Sequence, residues 1–337
     1  MKDSQYRATR KDVIPLVEVT RSGVIECTHR GSIAIVENGS LVDSLGDPTV
    51  VTPMRSTAKP FQVLALLEAG GIEEFGLTLD EIAVMVSSHN GEPRHVQTVR
   101  NLLHKAGLDE SSLHCGTHPA YFAWITRDVF RETGSDVRPV HNNCSGKHAG
   151  MLLLGNLLGT SLDSYWELGH PIQQTVLTKV AQVLGKPTEA LSVGVDGCGV
   201  PTYNVTLTEL AKMYCMLTIA DPSASSDTLG VVQKAMMAEP FMVAGSDRLD
   251  TDLMKLGSFI GKVGSQGIYC IGVCPAKIAI AIKIESGSEE AGECAAVEIL
   301  RKLGFLTTDA LSSLEKYWQR PVETLTGRIV GQYRAIF

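Results

Sequence analysis

The chain has 337 residues, 44% of them apolar, with a formal net charge of -7 and a pI near 5.7. That length sets a prior of roughly two domains or one large α/β unit, and the apolar content excludes a disordered chain. The acidic balance, without a run of five or more like charges, excludes an electrostatic nucleic-acid footprint.

In chain order, residues 1–12 are charged and polar and carry no apolar signal core, and no later apolar stretch is long enough to span a bilayer. The expectation is a soluble, cytoplasmic protein with no membrane partner. Residues 17–20, 32–36 and 41–45 are short, β-branched segments that read as strands. Asn38-Gly39 between the second and third is a hairpin turn, because both positions tolerate positive φ. A helix is expected from Ser56, capped by that serine, with Pro60 in its first turn and Gly70-Gly71 as its stop. Thr78 to Glu81 has the form of a capping box, and 93–106, 146–158 and 171–184 carry helical spacing. Thr206 to Glu209 caps another helix. Residues 267–273 and 278–284 are strands, and 289–303 is a closing helix.

Strands at both ends with helices between them imply an α/β (α+β) fold. Its mixed or antiparallel sheet would be built from both termini, with flanking helices and a helical insertion. The expected organisation is a single catalytic unit over 1–337. Within it, a sheet lobe covers about 14–55 and 190–337, and a mostly helical lobe covers about 56–189.

Ser56-Thr57-Ala58-Lys59 is a Ser-x-x-Lys motif opening a helix, so the amine can lie beside the hydroxyl. A serine hydroxyl needs a base, and a lysine serves as one only when its pKa is lowered by burial or a nearby cation. Taken alone, the motif is better read as a helix cap and a solvated lysine. Two further fragments change the balance. Ser88-His89-Asn90 reads as Ser-x-Asn after an apolar run, and Lys262-Val263-Gly264 reads as Lys-x-Gly just before a strand. That order, Ser-x-x-Lys, Ser-x-Asn, Lys-x-Gly, is the one used by serine acyl-transfer enzymes of the β-lactamase and penicillin-binding type.

Most of the eight cysteines should be small buried hydrophobes, as in a reducing compartment, rather than disulfides. Cys144 and Cys198 differ, because each sits in a glycine-rich polar loop. With Lys147, His148 and Asp196 in reach they could hold a soft metal such as zinc, or be two ordinary thiols. His89 and His148 adjoin candidate residues, while His118 and His141 lie in loops and remain open. Arg248 and Asp250 carry the complementary charges that an amino-acid zwitterion requires.

Five segments together resemble the inducible and constitutive L-asparaginases of rhizobia. They are Arg55 to Pro60, Ser88 to Glu92, Asn143 to Gly150, Asp196 to Pro201 and Lys262 to Gly264. The likeness extends over about 17–331. It implies a serine β-lactamase-like fold, related to serine-type glutaminases and assembled as a homodimer, that hydrolyses L-asparagine to L-aspartate and ammonia. By motif it implies catalytic pairs Ser56 with Lys59 and Ser88 with Lys262, and zinc ligands Cys144, Lys147 and Cys198. Arg55, His89, Asp196 and Arg248 are the expected substrate-binding residues. A glutaminase or another serine amidase on the same fold is the alternative, since one methylene is worth only about 1–3 kcal/mol in a pocket. A non-catalytic amino-acid-binding or metal-sensing module would have no use for two Ser-Lys pairs.

Overall fold

The computed structural model describes residues 13–117 and 137–337. His118 and residues 1–12 therefore lie outside the described residues. The strands are β1 (Ile14–Arg21), β2 (Val24–Glu37), β3 (Ser40–Leu45), β4 (Val51–Pro53), β5 (Ser192–Val195), β6 (Pro201–Thr206), β7 (Phe259–Gly264), β8 (Ile268–Val273), β9 (Ile278–Ile284), β10 (Pro321–Glu323) and β11 (Ile329–Ala335). The helices that frame or carry candidate residues are α1 (Lys59–Gln62), α2 (Leu79–Met85), α3 (Pro93–Lys105), α4 (Ser145–Leu157), α5 (Pro171–Leu184), α6 (Leu207–Ile219), α7 (Thr228–Ala238), α8 (Leu249–Met254) and α9 (Glu289–Lys302). The chain divides into two compact units. One comprises the described residues up to Thr57 with Asn204–Ile219 and Leu256–Phe337, and the other those of Ala58–Tyr203 with Ala220–Lys255.

The first unit is an eight-stranded sheet built from both termini, in the order β10-β11-β1-β2-β9-β8-β7, with β3 also paired to β2. Its pairings are antiparallel. The β2–β3 hairpin turns at Asn38 and Gly39, both at positive φ as the dipeptide predicts. Two helices cover the sheet. Gly272 on β8 lets α6 approach, since a Cβ there would lie 2.7 Å from the Thr218 methyl, and Gly272 pairs with Ala279 on β9. Ile284, of opposite parity to Ala279, points to the other face and meets α9 at Gly292. Burial on both faces explains why β8 is a continuous apolar run rather than an alternating one.

The second unit is mostly helical and centres on α2, which packs against α3, α4 and α7. Ile82, Ala83, Val84 and Met85 are buried, and the predicted capping box forms: the Thr78 N–H donates to Glu81 Oε2 at 2.9 Å. Gly146 and Gly150, one turn apart on α4, face α2. A Cβ on Gly146 would lie 2.1 Å from the Val84 carbonyl oxygen, and one on Gly150 would lie 2.7 Å from Met85 Sδ. These two glycines allow the helix backbones to touch.

Several local expectations are corrected. Ser56 does not cap a helix: Arg55–Ala58 forms a 3-10 turn whose first residue, Arg55, has φ +52, and the helix proper starts at Lys59. Gly70-Gly71 does not stop the following helical run. Gly70, at φ +91, kinks it, Gly71 keeps helical φ, and the chain coils on through Phe75 to a left-handed Gly76. Lys262-Val263-Gly264 does precede the expected strand, β8, but is itself the end of a further strand, β7, paired antiparallel with it. Of the two charges read as a zwitterion pair, Arg248 stands at the N-cap of α8 and Asp250 lies within its first turn.

Candidate active site

In the sheet unit, Ser56 is buried in the 3-10 turn, and the turn is fixed by the residue after it. The Thr57 N–H and hydroxyl both donate to the Met54 carbonyl, at 3.2 and 2.6 Å. The Tyr214 hydroxyl from α6 donates to the Thr57 carbonyl at 3.0 Å. Gly264 at the end of β7 leaves room for this turn, since a Cβ there would lie 3.0 Å from the Thr57 methyl. Left-handed backbone at a residue with a side chain, as at Arg55, costs of order 1–3 kcal/mol and persists only where its surroundings over-determine it. Lys262 on β7 is fully buried, and its Nζ donates to the Val263 carbonyl at 3.0 Å.

In the helical unit, α1 presents Lys59, which is 1% exposed. Its Nζ donates to the carbonyls of Ser87 and Asn143, the latter at 2.9 Å, and lies 3.4 Å from Ser88 Oγ. Burial lowers the Lys59 pKa below its ordinary value, against the opposing pull of Cys144. Lys59 and Lys147 both border a small cavity of about 20 Å³ whose other walls include Met85, Leu154 and Val176.

Ser88 follows directly from α2, and its segment is held by the backbone. The Ser88 N–H donates to the Val243 carbonyl at 2.8 Å and the Asn90 N–H to Ala244 at 2.9 Å. Asn90 is further clamped: its amide donates to Ser246 O at 2.9 Å and Glu92 Oε1 at 3.1 Å, and its oxygen accepts from Arg248 at 3.0 Å. Glu92 in turn accepts from the Ser246 N–H and hydroxyl. Gly245 is required at this join, because a Cβ on it would lie 2.4 Å from Glu92 Oε1. His89 is fully buried with both ring nitrogens engaged. Nδ1 accepts from the Gly91 N–H at 3.0 Å, which leaves Nε2–H to donate to Ser145 Oγ at 2.9 Å. In this arrangement the imidazole orders its own loop rather than offering a nitrogen to substrate.

A second cluster in the same unit joins α4 to the loop before β6. Cys144, Asp196 and Cys198 are buried with their ligand atoms all within 4.8 Å of one another. Lys147 Nζ lies 3.0 Å from Cys198 Sγ and 3.4 Å from Asp196 Oδ2. A hydrogen bond from the Cys144 thiol pulls the Cys198 pKa down to about 6, with Lys147 adding to it against burial. Burial pulls the Lys147 ammonium down, but Cys144, Cys198 and Asp196 together outweigh it and hold it above its ordinary value. Two thiols and a carboxylate, buried and convergent, could hold a metal, and their donor chemistry suits a soft tetrahedral ion. His148, fully buried, donates or accepts through Nδ1 to the Tyr165 hydroxyl at 2.7 Å, and burial with Lys147 beside it pulls its pKa to about 3.

The helical unit thus assembles Lys59 with Ser88, and Cys144 with Lys147, Asp196 and Cys198, while Arg248 is tied to Asn90. Ser56 and Lys262 belong to the sheet unit, and the boundary between the units falls inside the Ser-x-x-Lys motif, between Thr57 and Ala58. Sequence reasoning did not single out Glu92, Ser145 or the carbonyls of Ser87 and Asn143. Nothing local marks a backbone carbonyl as a lysine acceptor, though the glycines at 91 and 245 signal the tight joins around Glu92.

A buried lysine three residues after a serine thus lies beside a second serine, in the same unit as a thiol-rich cluster. Residues 17–335 match the L-asparaginase II family model, and the chain belongs to that family. No curated protein sequence matches it significantly. Among solved structures, it is similar to the octameric penicillin-binding protein homologue from Pyrococcus abyssi, at 18% identity over 81% of this chain and 73% of that one, with a TM-score of 0.44. It is also similar to a β-lactamase from Mycobacterium bovis, at 12% identity over 81% and 94% of the two chains with a TM-score of 0.41. A putative β-lactamase from Bacteroides dorei gives 13% identity over 80% and 93%, with a TM-score of 0.43. Similarity at this level carries nothing about activity. Membership of the asparaginase family implies an amidohydrolase with asparagine as substrate.

Proposed function

We propose that the protein hydrolyses L-asparagine to L-aspartate and ammonia by acyl transfer through Ser56. The observation that carries this reading is Lys59: a fully buried amine, directly after the Ser56 turn, with its pKa lowered by burial. Neutral Lys59 takes the Ser56 proton as the hydroxyl oxygen attacks the side-chain amide carbon. Collapse of the tetrahedral intermediate releases ammonia and leaves an ester on Ser56, which water then hydrolyses. Ser88, with Lys262 as its partner, delivers a proton to the departing nitrogen. Arg55, Asp196 and Arg248 hold the α-amino and α-carboxylate ends of the substrate, with His89 ordering the loop beside them.

Cys144, Lys147 and Cys198 are the proposed zinc ligands, with Asp196 and His148 beside them. Lys147 must lose its ammonium proton to bind, so the amine is a ligand only when the ion is present. Zinc, when bound, supplies a fixed positive charge that orders these loops, while the Ser and Lys side chains provide nucleophile and base. The reading also takes the protein to be a cytoplasmic homodimer. No helix among the described residues is long and apolar enough to cross a membrane.

Ammonia release from asparagine and from glutamine, measured side by side with the colour change of a chromogenic β-lactam, tests the proposal. Strong preference for asparagine is expected. Equal efficiency on glutamine would move the protein to a glutaminase, and turnover of the β-lactam alone would sink the asparagine assignment.

A further inference from the structure

One cluster on the sheet unit takes no part in the chemistry above. Of the cysteines, Cys27 is exposed, Cys274 half-buried and the rest buried. Cys27 and His29 are two apart on β2, so they share a face of the sheet. Cys27 Sγ lies 3.7 Å from His29 Nε2, within hydrogen-bonding reach for sulfur. The other ring nitrogen, Nδ1, is 2.7 Å from Ser286 Oγ. The ring is stacked on Tyr333 of β11, with centroids 6.2 Å apart and planes inclined by 13°. The imidazole is therefore pinned in position and in its second hydrogen bond, with one nitrogen aimed at an exposed sulfur.

A nucleophile, a base within reach and a third group that orients the base is the arrangement that activates a thiol. When His29 carries a second proton, Nδ1–H donates to the Ser286 oxygen and Nε2–H donates to the Cys27 thiolate. Burial lowers the His29 pKa, with Glu290 opposing it in part, so the resting imidazole is neutral and able to accept a proton.

We propose that Cys27, His29 and Ser286 form a thiol modification site that reacts with low-molecular-weight disulfides. His29 Nε2 takes the Cys27 proton, and the thiolate attacks one sulfur of the incoming disulfide. A new bond forms from Cys27 Sγ to that sulfur, the disulfide's own S–S bond breaks, and the departing thiolate takes the proton back from His29. The products are a mixed disulfide on Cys27 and one free thiol, so the incoming disulfide is the oxidant and no other is needed.

Oxidised glutathione is the probe, applied to the intact chain, with sites and rates read by mass spectrometry of the whole protein and its peptides. The expected result is a single adduct on Cys27, absent in Cys27→Ser. His29→Gln should slow adduct formation, because the thiol then has no base within reach. Ser286→Ala should slow it in the same direction and more weakly. Circular dichroism of each variant separates loss of activation from loss of fold. Because Ser286→Ala leaves the buried ring in place, it keeps the test decisive if His29→Gln misfolds. Equal rates in wild type and both folded variants would overturn the proposal, as would first modification at Cys274.

Discussion

Gly146 on α4 lies so close to α2 that a Cβ built on it would stand 2.1 Å from the Val84 carbonyl oxygen. Gly146 is flanked by Ser145 and Lys147, and Val84 lies four residues before Ser88, so this contact sets the spacing of two elements that carry candidate groups. The obstructing atom is backbone and cannot move aside. Gly146→Ala should therefore destabilise the protein by about 1–3 kcal/mol, the usual cost of overpacking, and reduce turnover as well. Gly150→Ala, which meets only the flexible Met85 side chain, should cost less. Urea unfolding of the two variants checks the order, and equal losses would remove the helix contact from the argument.

Ser56→Ala and Lys59→Met should each abolish nearly all ammonia release. The double variant should be no worse than either single one, because the two groups act as a unit. Lys59→Met also leaves the Ser87 and Asn143 carbonyls without their buried donor, so it should lower the melting temperature where Ser56→Ala does not. A folded Ser56→Ala protein with substantial activity would remove the nucleophile from the mechanism.

The rate should depend on pH with a definite sign. Below its folded pKa Lys59 holds a proton and cannot accept another, and above that pKa the amine is free. Burial places the midpoint below the ordinary value of 10.5, so kcat/KM should rise from acid toward alkaline pH and level off before that value. A flat profile across this range, under conditions where chemistry limits the rate, would argue against a lysine base.

Zinc added to metal-free protein should bind at one ion per chain, with release of protons as Cys144 and Lys147 give theirs up. Metal analysis after gel filtration should show the ion lost in Cys144→Ser and Cys198→Ser. Its removal by chelation should raise KM for asparagine more than it lowers kcat. Retained stoichiometric zinc in both serine variants would place the ion elsewhere.

Much of the local structure was legible from neighbouring residues. The Asn38-Gly39 turn, the Thr78–Glu81 cap and the matching cap at Thr206, where Glu209 Oε2 accepts from the Thr206 N–H, all depend on groups within a few positions of one another. Ser56 failed as a cap because a positive φ at Arg55 had already committed the turn, and no propensity announces such a value at an arginine. Likewise β11 gains its strand character from β1 at the other end of the chain, whereas β7 and β10 pair with the strands that follow them, β8 and β11.

What the sequence by itself determined, then, is the inventory: a serine and a lysine three apart, a second serine after an apolar helix, and thiols in glycine-lined loops. Tertiary structure decided which of these meet. Cys144 and Cys198 are distant in sequence and share a buried cluster because α4 docks against α2 and the Asp196 loop folds back through the Asp196 N–H to Val200 carbonyl bond. Lys59 became a buried amine because helices closed around it, and the same closure lowers its pKa. Caps and turns are fixed by bonds between near neighbours, whereas desolvation and the approach of distant side chains exist only after the helices have packed.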